Sequence, residues 1–154
     1  MAVKTAQDSA AWQDIWVYIE GNGPGDLRGV SLELLGVGRA LADAGGQRLA
    51  AVVCSDGTQE WEPFLFSYGA DLVYYAIAPG LQPYTTDGHA SALSSLAAEY
   101  KPAALLLGAT ANGRDLAPRV AARLQTGLTA DCTAVAYQEE EGRIVWTRPA
   151  FSGN

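Results

Sequence analysis

Two segments of this 154-residue sequence carry polar side chains at positions where a ligand could bind. The first, residues 108–115, reads Gly-Ala-Thr-Ala-Asn-Gly-Arg-Asp and joins an apolar run to a helical pattern. Ligands of open α/β sheets bind outside the carboxyl ends of the strands, and this loop is predicted to lie there. It offers small residues, hydrogen-bonding side chains and a helix N-terminus. The alternative is that Arg114 and Asp115 only fix the start of the helix.

The second segment, residues 126–132, lies further along the chain and is followed by residues 147–154. Arg148 directly precedes Pro149, and a proline holds the residue before it in an extended backbone conformation. The guanidinium group of Arg148 therefore has a defined direction, and arginine suits an anionic or electron-rich partner. The spacing of these residues alone predicts no more than such a contact.

Other residues that could do chemistry favour structural roles. The glycine-rich loop at residues 21–25 does not open directly into a helix, so we predict a surface turn, with phosphate binding as the alternative. His89 is predicted to be a surface or capping residue, and residues 85–87 could cap the helix that follows. Cys54 and Cys132 have apolar or small neighbours and are predicted to be buried. Two cysteines outside any CxxC pair and one histidine predict no metal site.

The composition is that of one globular domain, with 49% hydrophobic and 18% charged residues. A net charge of −7 disfavours nucleic acid, because affinity for nucleic acid comes from neutralised phosphates. No apolar run approaches the roughly 20 residues that span a bilayer, so no membrane span is predicted. The first residues contain no apolar stretch typical of a secretory signal, and we expect a cytoplasmic protein.

The hydrophobic pattern predicts strands that alternate with helices. Four short runs are apolar on both faces, as parallel strands covered on both sides require: residues 15–19, 48–54, 71–77 and 103–108. Four helical patterns follow them: residues 30–44, 59–68, 89–100 and 114–124. Gly45 and Gly46 supply a C-terminal stop for the first helix, and Pro118 is placed near the start of the fourth.

This order predicts an α/β domain with a doubly wound, mostly parallel sheet and helices on both faces. Residues 132–137 and 143–147 flank an acidic turn and predict a β-hairpin on the sheet edge, at the C-terminal end. We assign residues 1–14 to an irregular or disordered N-terminal segment. Residues 15–154 are assigned to the single α/β domain.

Several segments together resemble one known family. They are residues 31–36 (Ser-Leu-Glu-Leu-Leu-Gly), 83–86 (Pro-Tyr-Thr-Thr), 108–110 with 113–121, 127–132 (Gly-Leu-Thr-Ala-Asp-Cys), and 147–151 with 153–154. In their order and spacing they closely resemble the N-terminal domain of electron transfer flavoprotein α-subunits. The resemblance runs from about Ile15 to the last residue and implies a fold related to the adenine-nucleotide α-hydrolases, in line with the predicted element order.

The resemblance implies an electron-carrier subunit that does no bond chemistry itself. The family carries electrons through FAD from dehydrogenases, often acyl-CoA dehydrogenases, as a heterodimer of α- and β-subunits. The main FAD site of the family lies largely in the C-terminal domain of the α-subunit, and the resemblance implies that this domain is absent here. The family's sheet also continues after the Gly-Asn pair with a further apolar strand, so the α/β domain is expected to be truncated.

The resemblance also implies which residues contact a cofactor. In the electron-bifurcating branch the β-subunit holds a second flavin beside the first α domain, and Arg148 matches an arginine that reaches towards it. A positive group near the flavin ring would stabilise the anionic reduced form. The implied cofactor-binding residues are Arg148, Thr129, Asp131 and Asn154, with no catalytic and no metal-binding residue.

Two other classes of protein are weighed against the electron carrier. A nucleotide-binding domain of universal-stress type, which would bind ATP or AMP at the strand ends, shares the predicted fold. The sequence, however, lacks that group's glycine-rich phosphate loop late in the chain. A stand-alone hydrolase would need a nucleophile with a base beside it, and no such pair can be assembled from this sequence.

Overall fold

The computed structural model describes residues 12–57 and 59–150. The strands are β1 (Ile15–Tyr18), β2 (Leu49–Ser55), β3 (Leu72–Ile77), β4 (Ala104–Leu106), β5 (Ala134–Gln138) and β6 (Arg143–Thr147). The helices are α1 (Gly29–Gly45), α2 (Glu62–Ser67), α3 (Thr86–Tyr100) and α4 (Ala111–Leu124). Strands and helices alternate as far as α4, which confirms the predicted order of elements.

The first four strands form one parallel sheet in the order β3-β2-β1-β4. In this register Trp16 of β1 lies between Ala50 of β2 and Leu105 of β4. Every residue of β1 and β2 is buried, which explains why both strands are apolar throughout instead of alternating. The predicted parallel sheet is confirmed.

Successive residues of β1 point to opposite faces of the sheet and enter two separate cores. Ile15 and Val17 pack in one core, together with residues of α1 and α2 such as Leu35 and Leu65. Trp16 and Tyr18 pack in the other core, to which α3 and α4 contribute Ala90, Leu93, Ala97, Leu116 and Val120. Helices therefore cover both faces, and the predicted doubly wound architecture is confirmed.

The end of α1 was predicted correctly from the local sequence, whereas the start of α4 was not. Gly46 takes a left-handed conformation (φ 61°) directly after α1, and Gln47 N–H donates to Ala42 C=O at 2.8 Å, so the predicted glycine stop is confirmed. Helix α4 begins three residues earlier than predicted, because Thr110 caps it. Pro118 therefore lies inside the helix and not near its start.

The predicted hairpin is present as β5 and β6, which pair antiparallel with Ala136 opposite Val145. Within the described residues it forms its own two-stranded sheet and hydrogen-bonds to no strand of the parallel sheet. Its half-buried face, which includes Val135 and Tyr137, packs against the core beside α1. The alternating pattern of β5 suits this arrangement, since only one face of the hairpin is covered.

Residues 1–11 of the predicted irregular N-terminal segment lie outside the described residues. Residues 12–14 have no regular secondary structure, but they are anchored to the sheet. Gln13 N–H donates to Lys101 C=O at 3.0 Å, and Arg48 Nη2 lies 2.7 Å from Asp14 Oδ2. No helix in the described part of the chain is long and apolar enough to cross a membrane.

Candidate functional site

The strand order reverses between β1 and β4, so this is the point where ligands of doubly wound sheets usually bind. Glu20 follows β1 and Gly108 follows β4, which brings both residues to the carboxyl edge of the sheet. Thr110 lies just beyond Gly108, at the start of α4. The predicted loop at residues 108–115 is therefore at the expected position.

Glu20 fills the crevice at this reversal point and is only 4% exposed. The hydroxyl of Thr110 donates to its carboxylate, 2.7 Å from Oε1 and 2.9 Å from Oε2. Ser31 Oγ accepts the backbone N–H of Glu20 at 2.8 Å, and Arg28 Nε lies 3.9 Å from Oε2. A buried carboxyl group of the protein itself thus lies at the strand reversal and accepts the hydroxyl of Thr110.

Thr110 links this buried carboxylate to the first turn of α4. While its hydroxyl donates to Glu20, the same oxygen accepts the backbone N–H of Gly113 at 3.0 Å and caps the helix. Arg114 and Asp115 were weighed as the residues that fix the helix start. Arg114 does contact the start of the helix, since its Nε donates to Ala109 C=O at 3.3 Å, but it also pairs with Asp131, and Asp115 accepts the hydroxyl of Thr86.

A cavity of about 670 Å³ opens beside the end of β4. Its walls come from β4, the first turns of α4, the segment at residues 128–135, and Trp146 of β6. Most of the lining is apolar, and Arg114, Thr129 and Asp131 supply polar groups. The structure therefore brings two of the four predicted cofactor-binding residues, Thr129 and Asp131, together with the loop at residues 108–114.

Arg114 joins the two predicted segments across this cavity. Its Nη2 lies 3.0 Å from Asp131 Oδ1, and its Nε donates to the C=O of Ala109 at 3.3 Å. Asp131 has a left-handed backbone (φ 52°), a conformation that aspartate tolerates better than most residues. Arg114 had been considered only as part of its loop, because no local signal joins it to a residue 17 positions later in the chain.

Of the remaining two predicted site residues, Arg148 is described and does not line this cavity. Arg148 follows β6 directly, and its side chain is exposed. Asn154 lies outside the described residues. A second cavity, of about 410 Å³, shares Leu105, Thr129 and Trp146 with the first. Both cavities lie along β4, which is an edge strand of the described sheet.

His89 is buried, at 3% exposed, so its prediction as a surface or capping residue was wrong. Its Nδ1 lies 2.6 Å from the hydroxyl of Tyr18, and its Nε2 lies 2.7 Å from the C=O of Leu81. Thr85 is the N-cap residue of α3, but its side chain makes no capping hydrogen bond. Asp87 instead binds Arg119 of α4 at 2.8 Å. The polar residues at the start of α3 therefore connect this helix to β1 and to α4, around the core that contains Trp16 and Tyr18.

The two cysteines differ, although both were predicted to be buried. Cys54 is buried in β2, as predicted, whereas Cys132 is exposed just before β5. The small neighbours of Cys132 belong to a segment that lies on the surface, so they gave the wrong indication of burial. In the part of the chain that the structure describes, no group of three or more His, Cys, Asp or Glu side chains could hold a metal ion.

We predict that only one thiol reacts in the folded protein. Burial raises the pKa of Cys54 to about 12, and the thiolate is the reactive form of cysteine. A thiol reagent at neutral pH should label Cys132 and leave Cys54 unmodified until urea is added. Peptide mass spectrometry identifies the modified residue, and labelling of Cys54 in the native protein would contradict the buried position of β2.

The fold and the cavity define a doubly wound α/β domain with its candidate site at the carboxyl ends of the strands. The sequence model of one protein family, described as the electron transfer flavoprotein domain, matches residues 15–154. The electron transfer flavoprotein subunit alpha of Thermoanaerobacterium thermosaccharolyticum is 49% identical over 143 residues, which are 93% of this chain and 43% of that protein. The chain belongs to the electron transfer flavoprotein family.

Two further relatives match over most of this chain. Protein FixB of Clostridium saccharobutylicum is 48% identical over 94% of this chain and 43% of its own length. The acryloyl-CoA reductase electron transfer subunit beta of Anaerotignum propionicum is 38% identical over 100% of this chain and 47% of its own length. The chain thus spans less than half the length of these curated relatives.

Proposed function

We propose that this chain is the part of an electron transfer flavoprotein α-subunit that faces the β-subunit, and that the complete heterodimer carries electrons through FAD. The observation that carries this proposal is the 49% identity with a named α-subunit over 93% of the chain. The buried Glu20 carboxylate at the strand reversal disfavours the alternative of a nucleotide-binding domain of universal-stress type. The protein's part in this function is to bind and tune a cofactor.

Two of the predicted site residues carry donors that suit a flavin. FAD supplies one- and two-electron chemistry when it is bound, and the protein sets how strongly each oxidation state is held. Arg148 offers an exposed guanidinium group and Thr129 a half-buried hydroxyl, both of which can donate hydrogen bonds to an anionic ring. We propose that Arg148, Thr129, Asp131 and Asn154 face a flavin at the junction with the β-subunit.

The partners follow from the same proposal. One relative is named as an electron transfer subunit of acryloyl-CoA reductase, which supports a CoA-dependent dehydrogenase as the protein that exchanges electrons with the complex. An acyl-CoA dehydrogenase is the partner of this kind that we propose. A second flavin in the β-subunit would make the complex electron-bifurcating, and the exposed position of Arg148 suits a flavin held by another subunit.

The edge of β4 supports a further proposal about domain organisation. Leu105 and Leu107 line both cavities along this edge, and Trp146 borders both as well. A parallel strand buried on both faces is apolar throughout. In a chain of the relatives' length, the apolar strand that the resemblance implies after residue 154 would lie beside β4 and complete the sheet. The main FAD domain would then follow that strand.

Co-expression tests the proposed function. The α-chain at the full length of its relatives is produced together with the β-subunit, and flavin is released from the purified complex and counted. One FAD per heterodimer supports a simple carrier, and two support a bifurcating complex. A colourless complex, or a chain that forms no heterodimer, overturns the proposal. A melting temperature that rises substantially with AMP or ATP in the present chain would favour the nucleotide-binding alternative.

We predict that Arg148→Ala lowers the reduction potential of the flavin at the β-subunit junction. Loss of the positive charge removes stabilisation of the anionic reduced ring, so the ratio of reduced to oxidised flavin at fixed poise should fall about tenfold, if the charge contributes about 1.4 kcal/mol. Spectroelectrochemical titration of the complex measures this ratio. Arg148→Lys keeps the charge and serves as the control, and an unchanged potential in Arg148→Ala would remove the proposed role.

A further inference from the structure

The segment at residues 127–133 reaches the candidate site without secondary structure of its own. It carries Thr129 and Asp131, two of the residues proposed to face the flavin, and Leu128 within it is 45% exposed. Among the side-chain contacts of this segment, the ion pair from Arg114 to Asp131 connects it to a helix. The backbone of the segment is also anchored at Thr133, whose N–H donates to Thr147 C=O at 2.8 Å, so the ion pair with Arg114 fixes the carboxylate of Asp131 in particular.

Arg114 itself belongs to a helix turn that is anchored to the sheet. It lies in the first turn of α4, which is capped by Thr110, and Thr110 is bound to the buried Glu20. The side chain of Arg114 is fixed at two points, since Nε donates to Ala109 C=O and Nη2 contacts Asp131. Lysine has a single ammonium group on a flexible stem and cannot reproduce this planar fork.

The Arg114–Asp131 pair is poorly suited to stabilising the fold. The side chains are 63% and 59% exposed, and exposed ion pairs contribute little to stability. Asp131 nevertheless adopts a left-handed backbone (φ 52°) at this contact. Uncommon backbone conformations cluster at functional sites, where the surrounding structure holds them in place.

We propose that Arg114 is a positioning residue for the flavin site, which acts through Asp131 by fixing its carboxylate and neutralising its charge. The inference rests on the proposed function, since it assigns a role at the same site. Loss of Arg114 would leave the negative charge of Asp131 unneutralised and its carboxylate without the contact that fixes it. Both changes disfavour an anionic reduced flavin nearby.

Four variants of the complete heterodimer with FAD test this role: Arg114→Ala, Arg114→Lys, Asp131→Asn and the double variant Arg114→Ala/Asp131→Asn. The matched control is Arg123→Ala, which removes an exposed arginine from the last turn of the same helix. The ratio of reduced to oxidised flavin at fixed poise is measured by spectroelectrochemical titration. The melting temperature of each complex is measured in parallel.

Arg114→Ala should lower the ratio about three- to tenfold, whereas Arg123→Ala leaves it within about twofold of the wild type, because a Coulomb interaction weakens with distance. Arg114→Lys should lower the ratio in the same direction, since it keeps the charge but loses the fork. The double variant should return towards the wild-type ratio, because the unneutralised carboxylate is gone. The melting temperatures of the single variants should stay close to that of the wild type.

Different results would overturn the positioning role of Arg114 and the proposed function on which it rests. A wild-type ratio in Arg114→Ala, or an equal shift in Arg123→Ala, overturns the positioning role while the flavin-loaded complex still supports the proposed function. A shift of the same size in the Asp131→Asn background shows that Arg114 does not act through Asp131, and also overturns the inference. A wild-type complex without flavin at the subunit junction overturns the proposed function itself.

Discussion

Gly113→Ala should destabilise the protein by about 3 kcal/mol or more, because added bulk in a packed interior forces the backbone to shift. A Cβ atom at position 113 would overlap the carbonyl oxygen of Gly108, which is backbone and cannot rotate away. Relief of this overlap requires the end of β4 and the first turn of α4 to separate. The hydrogen bond from Gly113 N–H to Thr110, which caps the helix, would be lost in the process.

The matched control for this substitution is Gly36→Ala. Gly36 lies on the exposed side of α1, and a Cβ atom there would meet nothing within 4 Å. Alanine is favoured over glycine inside a helix by about 1 kcal/mol, so this variant should be more stable than the wild type. Urea unfolding at neutral pH measures both changes as shifts of the midpoint. Equal midpoints for the two variants would contradict the close approach of β4 and α4.

The same close approach explains how the candidate site is built. Gly113 allows the first turn of α4 to lie directly against Gly108, in the loop that follows β4, which places Thr110 within reach of Glu20. Arg114, the next residue, is then directed towards Asp131. Displacement of this turn should therefore affect the proposed flavin site as well as stability. In the heterodimer, we expect Gly113→Ala to lower the amount of flavin bound at the subunit junction.

Most of the fold could be predicted from local sequence because its signals are local. The residues of β1 and β2 are apolar without interruption, and only burial on both faces of a parallel sheet requires this. Gly46 ended α1 as predicted, since a left-handed residue is what a helix stop needs. Helix α4 was predicted to begin too late because Ala111, Asn112 and Gly113 resemble a loop, and the capping role of Thr110 was not considered.

The residues whose contacts were not predicted have partners that are distant in the sequence. Glu20 ends an apolar run and is easily interpreted as the start of a loop, yet its hydrogen-bond partner Thr110 lies 90 positions later. His89 is bound by Tyr18, which lies 71 positions earlier. No local pattern reports contacts of this range. They arise only when the sheet brings the ends of its strands together.

The site was predicted in part for the same reason. The carboxyl-end rule placed the loop at residues 108–115 correctly, and Thr129 and Asp131, which line the cavity, were predicted as site residues through a resemblance of linked segments. Their meeting in one cavity depends on the path of residues 125–131, for which the sequence contains no periodic pattern. Arg148 is exposed at the end of β6 and does not line the cavity, so its place at a flavin remains a prediction for the heterodimer.

The buried His89 predicts a stability that depends on pH in a defined direction. A carbonyl can only accept hydrogen bonds, so the Nε2 atom near Leu81 C=O carries the proton, and Nδ1 accepts the hydroxyl of Tyr18. Burial lowers the pKa of His89 in the folded state, and it raises the pKa of Tyr18. The neutral forms of both side chains are therefore the ones that fit this part of the core.

The sign of the pH effect follows from proton binding. Below about pH 6.5 the unfolded chain begins to protonate His89 while the folded protein does not, so stability should fall as the pH decreases. The contribution of His89 is fully present above that pH and is lost as the pH falls through the lower folded pKa. For Tyr18 the order is reversed, and its contribution should be lost only as the pH rises above about 10.

His89→Phe should cost about 2–4 kcal/mol at neutral pH, because it keeps a ring in the core but leaves Tyr18 Oη and Leu81 C=O buried without their hydrogen bonds. The double variant Tyr18→Phe/His89→Phe is the matched control. It removes one of the two unpaired groups and should recover about 1 kcal/mol or more relative to His89→Phe.

Urea unfolding of the wild type and both variants, at about pH 7.5 and about pH 5, separates the two effects of His89. The wild type should lose more stability between these conditions than either variant, since neither variant has a histidine to protonate. The carboxylates titrate in all three proteins, so their contribution cancels in the comparison. An equal loss of stability in all three would show that His89 is not held neutral by Tyr18 and Leu81. A double variant that is no more stable than His89→Phe would show that the Tyr18 hydroxyl does not depend on this histidine.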